Sequence, residues 1–105
     1  MSRVALGAGA VPEVVERELT ATPAQFERDL RMAWPAGVAS AAPGCFTLQD
    51  GETRLEIRIE TRGVRRLGLF QLPQLAARYQ FAGGDEAARR RLLAMLDRAM
   101  QRGGG

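Results

Sequence analysis

Thr53-Arg54-Leu55-Glu56-Ile57-Arg58-Ile59-Glu60-Thr61 alternates apolar and charged residues without a break. In an extended chain successive side chains point to opposite faces, so Leu55, Ile57 and Ile59 form one dry face. Arg54, Glu56, Arg58 and Glu60 form a wet one. A strand of that kind belongs in an antiparallel sheet covered on one side only. The residues just before it, Cys45-Phe46-Thr47-Leu48-Gln49, repeat the pattern with Phe46 and Leu48. Asp50-Gly51 between the two runs is a hairpin signal of the type I′ kind.

Downstream, Arg62-Gly63 is a second turn candidate, and Val64 to Leu72 reads as a third strand of this meander. Its apolar residues fall on both parities, Leu67 and Leu69 on one and Phe70 and Leu72 on the other. A two-residue turn places Phe70 opposite Leu55, and a three-residue turn places Leu67 opposite Ile59. One residue of slip flips every side chain, so both registers stay open; either leaves apolar surface on the outer face, or Gly68 sits at a bulge that re-aims the chain. Pro73 ends the run for want of an N–H. Leu75, Ala77, Tyr79 and Phe81 then alternate as a fourth strand.

Around this meander the rest of the chain reads as packing. Residues 1–11 are small and weakly patterned, a flexible N-terminal segment. Glu13 to Ala21 is a further strand, expected at an edge where its charges discourage wrong pairing. Thr22-Pro23-Ala24-Gln25 is a helix start with N-cap, first-turn proline and capping box. Phe26, Leu30, Ala33 and Trp34 continue it as one apolar stripe, Glu27 and Arg31 make an i,i+4 pair, and Pro35 closes it; Ala36 to Gly44 is a small-residue connection to the meander. After Gly83-Gly84, Asp85 caps a second helix through about Gln101, with Ala88, Leu92, Leu96 and Ala99 inward. Residues 103–105 form a flexible tail. The expected fold is a single α+β domain over residues 12–102, a two-layer sandwich of order β-α-β-β-β-β-α, with an antiparallel meander carrying both helices on one face. In element order alone this resembles a truncated helix-grip arrangement, in which a curved sheet wraps a C-terminal helix and often holds an apolar ligand.

Composition narrows the chemistry. All 15 basic residues are arginine, and there is neither lysine nor histidine. The usual general base, the Schiff-base amine and most transition-metal ligands are therefore missing, so neither metal, cofactor nor enzymatic activity is expected. Cys45 has no histidine to activate it and reads as a small apolar residue. A lone cysteine and the absence of a signal-like N-terminus point to the cytoplasm. No run reaches the ~20 apolar residues of a membrane span. A net charge of +3 permits nucleic acid without indicating it.

Three groups of residues remain as candidate binding sites. Leu67, Leu69 and Phe70 would leave apolar surface outside the core and so serve an interface, above all with a second copy of the chain. Arg62, Arg65 and Arg66 cluster near a hairpin and could contact an anion. Trp34 and Tyr79 could line a pocket for a small apolar ligand, although aromatics at such positions are commonly core. The leading expectation is a non-enzymatic, self-associating interaction module. An apolar-ligand carrier and an arginine-mediated anion or nucleic-acid binder are its alternatives.

Overall fold

A computed structural model describes the backbone of residues 12–104 and the side chains of residues 12–100. The N-terminal segment 1–11 and Gly105 lie outside the described residues. The elements are β1 (Val14–Thr20), α1 (Pro23–Ala33), β2 (Ala39–Ala42), β3 (Cys45–Asp50), β4 (Thr53–Leu67), β5 (Phe70–Ala82) and α2 (Glu86–Gly104). They form one five-stranded antiparallel sheet of order β1-β5-β4-β3-β2. This is the expected α+β sandwich, and β1 sits at an edge.

Period-2 patterning assigns the two faces. Phe46, Leu48, Leu55, Ile57, Leu75, Ala77, Tyr79 and Phe81 are all buried on the helix side, with Val15 from the edge strand. Against them α1 sets Phe26 and Leu30, and α2 sets Leu92, Leu93, Leu96 and Met100. The Phe26 and Phe46 rings meet at 6.1 Å between centroids, in a tilted pair. The capping box forms as the sequence implies: the Gln25 N–H donates to Thr22 Oγ1 at 3.1 Å, and the Thr22 N–H donates to Gln25 Oε1 at 2.9 Å. At α2, the Ala88 N–H donates to Asp85 Oδ1 at 2.9 Å.

The strand boundaries depart from the sequence reading in four places. First, the segment Ala36 to Gly44, expected as a connection, contains β2, an edge strand of small exposed residues. Second, the hairpin after β3 is centred on Gly51-Glu52, with Asp50 paired to Thr53. Only Gly51 has positive φ there (62°), the pattern of a type II′ turn rather than I′. Third, Arg62-Gly63 is not a turn. The chain gains one residue between Thr61 and Val64 against Leu75 and Pro73, a β-bulge with Gly63 at φ 87°, and β4 runs on to Leu67. Fourth, the reversal comes at Gly68-Leu69, so Leu67 pairs with Phe70, and neither register expected for these residues occurs.

Pro73 therefore lies inside β5. Its carbonyl accepts from the Ala21 N–H at 3.0 Å, which places its missing N–H on the β1 side, just where β1 has ended. No bond of the β4 ladder is lost.

Candidate functional site

The bulge and the late turn build a feature that the rest of the sheet does not cover. β3 pairs with β4 only as far as Arg58, and β1 pairs with β5 only as far as Gln74. From there to the turn, β4 and β5 pair with each other alone, as a two-stranded arm. Its residues are exposed from Glu60 through Gln71, and the molecule is 48 Å long against 31 and 22 Å in its other dimensions.

The arm gathers the candidate interface residues. Leu69 at the turn is 100% exposed and Phe70 71% exposed, with Leu67 and Val64 about half exposed. Large apolar side chains in that state lack the burial that stabilises them elsewhere, each worth about 1.5–3 kcal/mol when covered. Leu67 and Phe70 are cross-strand neighbours and so share a face. Arg62, Arg65 and Arg66 lie on the same arm. Arg62 pairs with Glu60 at 3.6 Å, whereas Arg65 and Arg66 make no ion pair among the described residues. No Asp or Glu occurs between Glu60 and Asp85, so the arm is cationic as well as apolar.

The arm's outer face is continuous with the open face of the sheet. Along β5 the even-numbered residues Phe70, Leu72, Gln74, Ala76, Arg78 and Gln80 point away from the helices. Register then fixes the rows across this face. Cys45, Arg58, Arg78 and Glu16 lie opposite one another on β3, β4, β5 and β1, and Glu60, Ala76 and Glu18 form the next row. Over the small Ala76 the surface dips into an open hollow of about 610 Å³, flanked by Glu16, Glu18, Arg58, Glu60 and Arg78. Arg54 answers Glu56 at 3.1 Å. Arg58 and Arg78, directly opposite and both exposed, have no carboxylate partner among the described residues, and like charges so placed repel. Cys45 is a half-buried thiol beside Arg58.

Trp34 and Tyr79 sit apart. Trp34 is the half-buried C-cap of α1 and lines a surface groove of about 360 Å³ with Asp50, Arg91, Met95 and Arg98. Tyr79 is fully buried in the middle of β5, and its hydroxyl has no hydrogen-bond partner among the described residues. Burial raises its pKa far above the ordinary 10.0, the nearby Asp97 carboxylate raises it further, and Arg17 opposes them. A phenol held protonated in this way moves no proton at neutral pH. Arg17 and Asp97 themselves form a two-pronged pair, Nε to Oδ1 at 3.3 Å and Nη2 to Oδ2 at 3.2 Å, tying the edge strand to α2. Sequence reasoning passed over this pair because Arg17 shares the core parity of Val15 and Leu19. The described residues contain no cluster of three or more potential metal ligands, and no described helix is long and apolar enough to cross a membrane.

Neither a search against protein-family models nor a search of curated proteins finds a match for this chain.

Proposed function

We propose that this protein is a non-enzymatic interaction module that associates with a second copy of itself through the open sheet face and the β4–β5 arm. The observation that carries the reading is the exposure of Leu67, Leu69 and Phe70 together on a ribbon held out beyond the helices. Isolated exposed apolar residues are ordinary, but a contiguous set on a projecting hairpin marks a contact surface. The charges of the open face suit association with a like surface. Glu16, Glu18, Glu56 and Glu60 are interleaved there with Arg54, Arg58 and Arg78, so the cationic arm of one copy has carboxylates to meet on the other.

The test is light scattering behind size exclusion at two protein and two salt concentrations. The expected mass is twice the 11.4 kDa of the chain. Phe70→Arg should weaken the dimer by about 2 kcal/mol or more, roughly thirtyfold in Kd, as for a central aromatic anchor. A wild-type chain that stays monomeric at the highest concentration removes the reading.

The arm's charge supports a second reading as a polyanion contact, because Arg65 and Arg66 have no carboxylate partner among the described residues. It predicts binding to a duplex at low salt that fades as salt rises. The apolar tip, which phosphate would leave uncovered, favours the protein partner.

A further inference from the structure

Resting on the self-association reading, we infer that the two copies pack sheet to sheet about a two-fold axis at Gln74, so that each arm lies across the other's open face. Three observations lead there. Arg58 and Arg78 oppose each other with no carboxylate between them. Arg65 makes no ion pair among the described residues, and Leu67 and Phe70 are uncovered, on a stretch with no acid beyond Glu60. These features are also spaced symmetrically along one strand face.

Counting along β5 from Gln74, Leu72 and Ala76 lie two positions away in opposite directions, and Phe70 and Arg78 lie four. On β4, Arg65 is registered with Leu72 and Glu60 with Ala76, while Leu67 is registered with Phe70 and Arg58 with Arg78. The bulge at Gly63 makes this work. Strict alternation from Glu60 through Gly63 would put Arg65 and Leu67 on the helix-side parity; the bulge absorbs one residue and turns them to the open face. A two-fold axis perpendicular to β5 at Gln74, lying between the two sheets, exchanges these rows. Arg65 then meets the partner's Glu60, and Leu72 enters the hollow over the partner's Ala76. Leu67 and Phe70 cover the partner's Arg58 and Arg78, with the Phe70 ring against the Arg78 guanidinium as a cation–π contact.

The same patch is used on both subunits, and each contact occurs twice, as an isologous interface requires. The assembly closes at two, because the arm of each copy occupies the face that a third would need. Face-to-face sheets stand about 10 Å apart, so the two Gln74 positions come within reach of a short linker.

Charge reversal and cross-linking test the arrangement. Arg65→Glu alone and Glu60→Arg alone should each lose the dimer mass. The double variant Arg65→Glu/Glu60→Arg should regain it, since the swapped pair meets again across the axis. Both positions are exposed, and circular dichroism checks that each variant folds. In a Cys45→Ser background, a short bis-maleimide should join Gln74→Cys into a covalent dimer and leave Gln80→Cys unlinked. A wild-type monomer overturns this inference together with the reading it rests on. A dimer that Phe70→Arg abolishes, but in which the double reversal gives no recovery or Gln80→Cys links in place of Gln74→Cys, overturns the inference alone.

Discussion

Tyr79→Phe is expected to stabilise this protein, by about 1 kcal/mol at neutral pH, because the phenol oxygen it removes is buried with no partner. A buried polar group left without a hydrogen bond costs about 1–3 kcal/mol, part of which is offset here by the small void its removal leaves. The gain should widen in base. The folded state holds the phenol protonated, chiefly through burial, whereas in the unfolded chain it titrates near 10.0. Stability is therefore complete below pH 10 and is lost as pH climbs from there toward the raised folded-state value. Above pH 10 the unfolded chain sheds its proton and the folded one does not. The limiting slope is about 1.4 kcal/mol per pH unit, roughly 2.5 kcal/mol by pH 12. Urea unfolding of parent and variant at pH 7 and across pH 10–12 measures both parts. The chain has a single tyrosine, so phenolate absorbance reports on Tyr79 alone and should appear only as the protein unfolds. A variant less stable at pH 7 would mean that the hydroxyl has a partner; a phenolate titrating near pH 10 in the folded protein would remove the pH argument.

Tyr79 also marks a limit on what a sequence discloses. Its parity with Leu75, Ala77 and Phe81 put it on the core face, and that much is alternation. Whether its hydroxyl finds a partner depends on what α2 and β1 set around it, and Arg17 and Asp97 are 80 residues apart. The helices, both caps and the dry face of β4 were legible because each is written in short-range residue chemistry. Thr22, Pro23 and Gln25 specify a helix start wherever they occur in that order.

The arm was not legible, for a physical reason. Arg62-Gly63 and Leu67-Gly68 are both weak punctuation, and a glycine with positive φ serves a bulge as well as a turn. Only pairing with β5 distinguishes them. An exposed ribbon also carries no alternation to read, since neither of its faces is buried. β2 was missed because Ala39, Ser40, Ala41 and Ala42 lack the branched and aromatic side chains that announce a strand. The Arg58–Arg78 juxtaposition follows from register alone, and a one-residue slip would have set Arg58 beside Tyr79 or Ala77. Leu67, Leu69 and Phe70 are exposed, while the ribbon that displays them emerged only from the pairing.

Gly84→Ala is expected to destabilise the fold by about 3 kcal/mol, combining left-handed backbone strain of ~1–2 kcal/mol with overpacking of at least 1. Gly83 and Gly84, at φ 76° and 70°, turn the chain from β5 into α2. They do so directly against the start of β4: a Cβ on Gly84 would strike Thr53 Oγ1 and lie 3.1 Å from Thr53 Cβ, and one on Gly83 would strike the Glu52 carbonyl oxygen. Thr53 is 1% exposed and cannot swing aside into solvent. The crossover that lays α2 on the sheet is thus keyed to the β3–β4 hairpin, and its displacement would loosen Leu92 and Leu96 against Leu55 and Phe81. A double-mutant cycle separates strain from clash. In a Thr53→Ala background the hydroxyl is gone, and Gly84→Ala should cost less by about 1 kcal/mol or more, a coupling expected only of groups in contact. Equal costs in both backgrounds would show that the backbone conformation alone demands glycine. A cost below about 1 kcal/mol in the parent would show that the turn relaxes away from Thr53, leaving the seating of α2 to the helix contacts themselves.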